Sequence, residues 1–107
     1  RLVIKRQELG EFRLTAYCAC RKCCGKDPGD FGYGVTASGA VVEAGRTIAV
    51  DSSVIPLGSE IVIDGHTYVA EDTGSAIKGN RIDIYFDTHQ EALNFGVQYA
   101  DVYIIKN

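Results

Sequence analysis

Glu60-Ile61-Val62-Ile63-Asp64-Gly65-His66-Thr67-Tyr68-Val69-Ala70-Glu71 sets two strand-like runs either side of Asp64-Gly65. An Asp-Gly pair in that place is the signal for a two-residue type I′ hairpin, whose central residues both need positive φ. Adjacent strands are therefore predicted at 60–63 and 66–71. Downstream, Arg81–Phe86 alternates strictly, with Ile82, Ile84 and Phe86 on one face. Asp83, Tyr85 and Asp87 necessarily share the other face. Upstream, Thr47–Val50 reads as a short strand ending at Asp51, and Pro56-Leu57-Gly58 as a turn. Glu11–Tyr17 also has period two, with Phe12, Leu14 and Ala16 opposite Arg13, Thr15 and Tyr17. Val102–Ile105 supplies a last strand.

One helix is predicted, His89–Phe95. Thr88-x-x-Glu91 has the form of a capping box, and Gly96 stands where a helix C-terminus favours glycine. The segment Cys18–Tyr33 holds Gly25, Pro28, Gly29 and Gly32 and reads as a loop. Twelve glycines among 107 residues favour turns and short strands. The result is an all-β fold with one short helix, a small closed β-barrel. The length suits one domain. Residues 1–10 are expected to be a linker or edge strand, and residues 11–107 the barrel.

The formal charge is −3, and the basic residues are scattered apart from Lys5–Arg6 and Arg21–Lys22. That pattern gives no electrostatic footprint for nucleic acid. No apolar run approaches a transmembrane helix in length. The chain opens on Arg1 rather than Met, which reads as a fragment or a processed form. The missing signal-peptide pattern therefore says nothing of where the protein works.

Asp72, followed by Thr73-Gly74-Ser75, stands where a hairpin strand breaks into a glycine-containing turn. Asp83 lies in the middle of a strand whose neighbours Ile82 and Ile84 read as buried. Aspartate is depleted in strands, so Asp83 is either solvated on the outer face or placed in a cleft. Periodicity alone does not separate these.

The segment Ala70-Glu71-Asp72-Thr73-Gly74-Ser75-Ala76-Ile77-Lys78-Gly79-Asn80-Arg81-Ile82-Asp83-Ile84-Tyr85 closely resembles the signature of the 3D domain. That domain is named for three aspartates and is similar to the catalytic barrel of MltA-type lytic transglycosylases. Gly45-Arg46-Thr47-Ile48-Ala49-Val50-Asp51 with Ile55-Pro56-Leu57-Gly58 resembles its first-aspartate motif, and Tyr33-Gly34-Val35-Thr36-Ala37-Ser38-Gly39 its substrate-facing loop. The resemblance runs from about Thr15 to Val102. It implies a six-stranded double-psi β-barrel of the stationary-phase survival or resuscitation-factor-like group, secreted and active on bacterial cell-wall peptidoglycan. It places Asp83 as the general acid, with Asp72 and Asp51 lining the groove and Thr36 and Ser38 facing the sugar.

A lytic transglycosylase needs one acid/base, because the substrate's own C6 hydroxyl is the nucleophile and closes a 1,6-anhydro ring. The carboxylate pair of other glycosidases is not required. An ordinary aspartic acid titrates near ~3.9, so the acid form of Asp83 needs support at neutral pH. A second carboxylate nearby supplies such a bias, and Asp72 is the expected source. Asp51 either adds to that bias or orders a loop. No cofactor is implied.

Lys78 is expected to hold its turn or to touch substrate. His66 and His89 read as surface groups. Tyr17 and Tyr85 read as barrel packing, with stacking on sugar as the alternative. Cys18, Cys20, Cys23 and Cys24 form a tight cluster that reads as disulfides, as a structural zinc site or as free thiols. Similar clusters mark a subgroup of the resembled family rather than a catalyst.

Two rivals stand beside the enzyme. Asp72-Thr73-Gly74-Ser75 is also the active-site string of aspartic proteases, but Glu71 in front of it puts a charge where those enzymes have apolar residues. The other rival is a non-catalytic, expansin-like module that binds wall polysaccharide.

Overall fold

The structure, a computed structural model, describes residues 5–18 and 36–106. Its elements are β1 Lys5–Tyr17, β2 Thr47–Ala49, β3 Glu60–Ile63, β4 His66–Asp72, β5 Arg81–Tyr85, the helix α1 His89–Phe95 and β6 Gln98–Lys106. The six strands close into a barrel in the order β1-β5-β2-β4-β3-β6. Two neighbour pairs are parallel, β1 with β5 and β2 with β4; the others are antiparallel. The closed six-stranded barrel with one short helix is the fold expected from the sequence.

The hairpin between β3 and β4 has the turn its sequence demands. Asp64 and Gly65 have φ of 50° and 78°, the positive values that a type I′ turn needs and that glycine tolerates best. Thr88 caps α1, its hydroxyl accepting from the Glu91 N–H at 3.1 Å. The outer strands run further than alternation indicated. β1 starts at Lys5, within the stretch read as linker or edge strand, and β6 starts at Gln98 rather than Val102. The two pair with each other from Lys5↔Lys106 to Leu14↔Gln98. Backbone pairing extends them through residues such as Gln98 and Tyr99, which stay exposed and so carry no apolar period.

The barrel interior is filled by the apolar face of each strand: Phe12 and Leu14, Ile48 and Val50, Ile61 and Ile63, Ala70, Ile82 and Ile84, and Val102. Full burial of one such aliphatic or aromatic side chain contributes roughly 1.5–3 kcal/mol. A second, smaller cluster lies on the other face of the same sheet, formed by Tyr17, Ala49, Ile77 and Tyr85, with Val42 and Ala44 packed against it. The outer face of β1, β5 and β2 is thus covered by side chains from the 36–46 and 73–79 loops rather than left to solvent.

Ile48 is wholly buried and lies between Ala70 and Ile84 in the sheet register. Ile48→Ala should lower unfolding free energy by about 2–5 kcal/mol, read as a lower urea midpoint.

Candidate active site on the outer face of the barrel

Four strands bring the candidate residues into one row. Thr15 pairs with Asp83, Asp83 with Ala49, and Ala49 with Asp72. Ile82 and Ile84 point into the barrel, so alternation sends Asp83 outward. Asp72 needs a different device, because simple alternation would send it inward with Ala70. Ile48 pairs with Ala70 but Ala49 pairs with Asp72, a register shift that skips Glu71. A bulge of this kind re-aims the side chains that follow it. It turns Asp72 outward, where Tyr17 and the 36–40 loop reach it. The backbones of Asp83 and Asp72 are then two strand spacings apart, roughly 10 Å.

Asp83 is half-buried, and its Oδ1 accepts a hydrogen bond from the Thr15 hydroxyl at 2.9 Å. Its pKa is raised above the ordinary aspartate value, chiefly because burial disfavours the charged form. The Thr15 hydrogen bond and the Arg81 charge oppose the rise, and the Asp72 charge adds to it as the smallest contribution. The expected bias from Asp72 therefore exists but ranks behind desolvation.

Asp72 is tied on both oxygens. Oδ2 accepts from the Tyr17 hydroxyl at 3.1 Å, and Oδ1 accepts from the N–H groups of Ala37 and Thr73, each at 2.9 Å. The Tyr17 ring stands edge-on to Tyr85 with centroids 5.6 Å apart, so both tyrosines pack against each other. Glu71, whose charge argued against a protease, is also paired: Oε1 accepts from Arg46 Nε at 3.0 Å and from the Thr47 hydroxyl at 2.8 Å.

Asp51 orders loops. Its Oδ1 accepts from the Ser53 N–H and hydroxyl at 3.0 and 2.7 Å, and its Oδ2 from the Gly79 N–H at 2.9 Å. These bonds, the one from Gly79 foremost, pull its pKa down to about 2. Of the two alternatives for Asp51, the geometry gives the loop-ordering one.

The two hydroxyls expected to face the sugar differ. Thr36 is buried, and its Oγ1 accepts from the Ala40 N–H at 3.1 Å and lies 3.0 Å from Ser38 Oγ. Its hydroxyl closes the turn, while Ser38 stands exposed. Tyr33–Val35 of the same loop lie outside the described residues. Lys78 is exposed and borders an open depression of about 380 Å³ that also takes in Asp51 and Thr73. In the same loop Gly74 lets Ile77 fold down, since a Cβ there would lie 3.0 Å from Ile77 Cγ1.

Cys18 is buried with its Sγ 3.7 Å from His89 Nδ1. Cys20, Cys23 and Cys24 lie outside the described residues, and so does the choice among bridges, zinc and thiols. Nε2 of His66 lies 2.7 Å from the Gly45 carbonyl oxygen.

Sequence reasoning missed Thr15 and Tyr17 as partners of the two aspartates. The only signal was their placement opposite Phe12 and Leu14, which says which face they occupy but not which strand they meet.

This closed six-stranded barrel with its row of aspartates is the architecture of a 3D domain. The family model described as the 3D domain matches residues 46–106, and the chain belongs to that family. A cell wall-binding protein of Bacillus subtilis, YocH, is 42% identical over 67% of this chain and 26% of its own length. Among solved structures, MltA of Escherichia coli with bound chitohexaose superposes with a TM-score of 0.62 at 25% identity, over 76% of this chain and 30% of that one. A membrane-bound lytic murein transglycosylase from Agrobacterium tumefaciens gives a TM-score of 0.56 at 31% identity, over 66% and 25% of the two chains. This chain spans about a fifth to two fifths of the length of the curated relatives it matches.

The two shifted aspartates make opposite demands on stability. A raised folded pKa means that ionising Asp83 costs stability as pH climbs from the unfolded value through the folded one. Asp83→Asn should therefore match the parent near pH 3 and be the more stable protein at pH 7. Asp51, with its pKa held at about 2, stabilises above the unfolded value and loses that contribution as pH falls through about 2. Asp51→Asn should be less stable than the parent at pH 7, with the gap closing toward pH 2. Urea midpoints across this range test both signs.

Proposed function

We propose that this domain is a peptidoglycan lytic transglycosylase that cleaves the β-1,4 bond from N-acetylmuramic acid to N-acetylglucosamine, with Asp83 as its acid and base. One observation carries the reading: Asp83 is half-buried in the row of aspartates, and burial pushes its carboxyl above the ordinary pKa. It stands on the outer face, held by Thr15. A general acid has to be protonated at the working pH, and burial favours that form.

The state of the other carboxylates supports the anhydro outcome over hydrolysis. A hydrolase needs a second carboxylate to act as nucleophile or to activate water. Asp72 accepts three hydrogen bonds, Asp51 accepts three, and Glu71 is paired with Arg46 and Thr47. Asp83 gives its proton to the glycosidic oxygen as the bond from C1 to that oxygen breaks. The resulting carboxylate takes the C6 hydroxyl proton while that oxygen closes on C1. The proton lost in the first half returns in the second, so the acid is regenerated without water.

The names of the relatives place them at the cell wall, and a solved relative holds a glycan chain. We carry over to this domain action on wall glycan strands, outside the cell, in a secreted protein. Asp72 holds the 36–40 loop, and the exposed Ser38 hydroxyl, 3.0 Å from Thr36 Oγ1, is the one that meets the sugar. The name of the cell wall-binding relative favours one second reading, a module that binds the wall without cutting it.

Incubation with purified sacculi followed by mass spectrometry separates the readings. The parent should release 1,6-anhydromuramyl fragments, and Asp83→Asn should lose activity by about 10²–10⁴-fold while still binding sacculi. Binding with no products in the parent would leave the wall-binding module. Reducing-end products would make it a hydrolase.

Thr15→Val offers a pH test of the same acid. The Thr15 hydrogen bond lowers the Asp83 pKa, so its loss should raise that pKa. Activity should then persist to higher pH, with the alkaline limb of the profile moving upward.

A further inference from the structure

The depression beside Asp51 has a chemistry that the acid at Asp83 does not use. Its rim carries the hydroxyls of Ser52, Thr73 and Ser75 and the ammonium of Lys78. Among the described residues none of these four groups has a hydrogen-bond or ion-pair partner; the ion pairs found join Arg46 to Glu43 and Glu71. Among the described residues Asp51 is the one acidic group there; it accepts from Ser53 and Gly79 on its two oxygens, and the Lys78 charge also acts on it, as the smallest of its stabilising influences. Among the described residues the depression therefore offers donors, one of them a full positive charge, and a single carboxylate whose oxygens both already accept hydrogen bonds. Among the described residues it has no aromatic ring on which a sugar would stack. A neutral sugar face is a poor match for such a lining; a carboxylate is a good one, since charge-assisted bonds to oxyanions are the strongest these donors make. The place is connected to the row of aspartates, because Thr73 lines the depression and its N–H holds Asp72.

We propose that this depression is a subsite for an acidic substituent of the glycan, in which Lys78 and the surrounding hydroxyls receive a carboxylate. This rests on the reading of the domain as acting on wall glycan and names the feature that would set such a strand apart from chitin. Two parts of a wall strand carry the group. A muramic acid stripped of peptide bears a free lactyl carboxylate, and a strand with its peptides bears carboxylates on the stem.

The test measures binding by titration calorimetry in an Asp83→Asn background, so that no ligand is consumed. Three ligands are compared: a peptide-free oligomer of alternating N-acetylglucosamine and N-acetylmuramic acid, the same oligomer with stem peptides, and chitohexaose, which has no carboxylate. Lys78→Gln should weaken binding of a carboxylate-bearing ligand by about tenfold, the effect of losing one charge-assisted hydrogen bond, and leave chitohexaose within about twofold. Lys78→Arg should restore most of the loss. Weakening confined to the peptide-free oligomer assigns the lactyl group, and weakening confined to the peptide-bearing one assigns the stem. An equal loss for all three ligands, or no loss for any, overturns the subsite. Binding of none of the three overturns both the subsite and the glycan reading. A parent that binds all three but forms no anhydro product removes the catalysis alone, with the Lys78 comparison still decisive.

Discussion

The register shift in β4 is the constraint on which the site depends. Without the skipped residue at Glu71, strand alternation would send Asp72 inward toward Ala70 and the apolar core. A buried carboxylate without partners is not tolerated there. The shift also frees the Glu71 carbonyl, which accepts from the Ser38 N–H at 3.1 Å. The next carboxylate along, Asp72, accepts from the Ala37 N–H at 2.9 Å. Two consecutive amides of the 36–40 loop are thereby pinned to two consecutive residues of β4. The loop is thereby held against the outer face beside Asp72.

Desolvation and charge act on Asp83 with different reach. Repulsion from Asp72 has to cross two strand spacings and competes with the nearer Arg81 charge, which favours ionisation. Burial acts on the carboxyl directly. The ranking follows from geometry: a charge two strands away is partly screened, whereas side chains packed around a carboxyl exclude the water that would stabilise its anion. Thr15 limits the effect by donating to the same oxygen, so the acid is biased toward its neutral form without losing its polar partner.

Much of this was legible in the sequence, for reasons that differ residue by residue. Asp64-Gly65 announces its hairpin because few pairs accept two positive φ values. Ile82 and Ile84 announce the inward face of β5, and so the outward direction of Asp83. Alternation equates outward with solvated, and that is where it stops. The cover comes from Val42, Ala44 and Ile77, which belong to no periodic segment. The partner of Asp83 lies 68 residues earlier on a parallel neighbour, and parallel pairing across a long connection leaves no local trace. The bulge is hidden too, since Glu71-Asp72 looks like the polar end of a strand. Motif resemblance bridged these gaps for Asp83, Asp72 and Asp51. It did not separate their roles, and it set Thr36 beside Ser38 although only Ser38 is exposed.

The three named aspartates divide along physical lines. Asp51 is saturated by donors and strongly acidic, so it serves as a fixed anion that fastens the 73–80 loop to the 51–55 turn. Asp72 is saturated too, but its donors come from a distant strand and from the 36–40 loop, so it fastens tertiary structure. Asp83 has a single hydroxyl donor, from Thr15, and is half-buried. The donors on Asp51 hold it as an anion. A carboxyl with few donors and little solvent is held near its neutral form. The same residue type in one small sheet thus yields two clamps, Asp51 and Asp72, and one half-buried carboxyl that burial pushes toward its neutral form, Asp83.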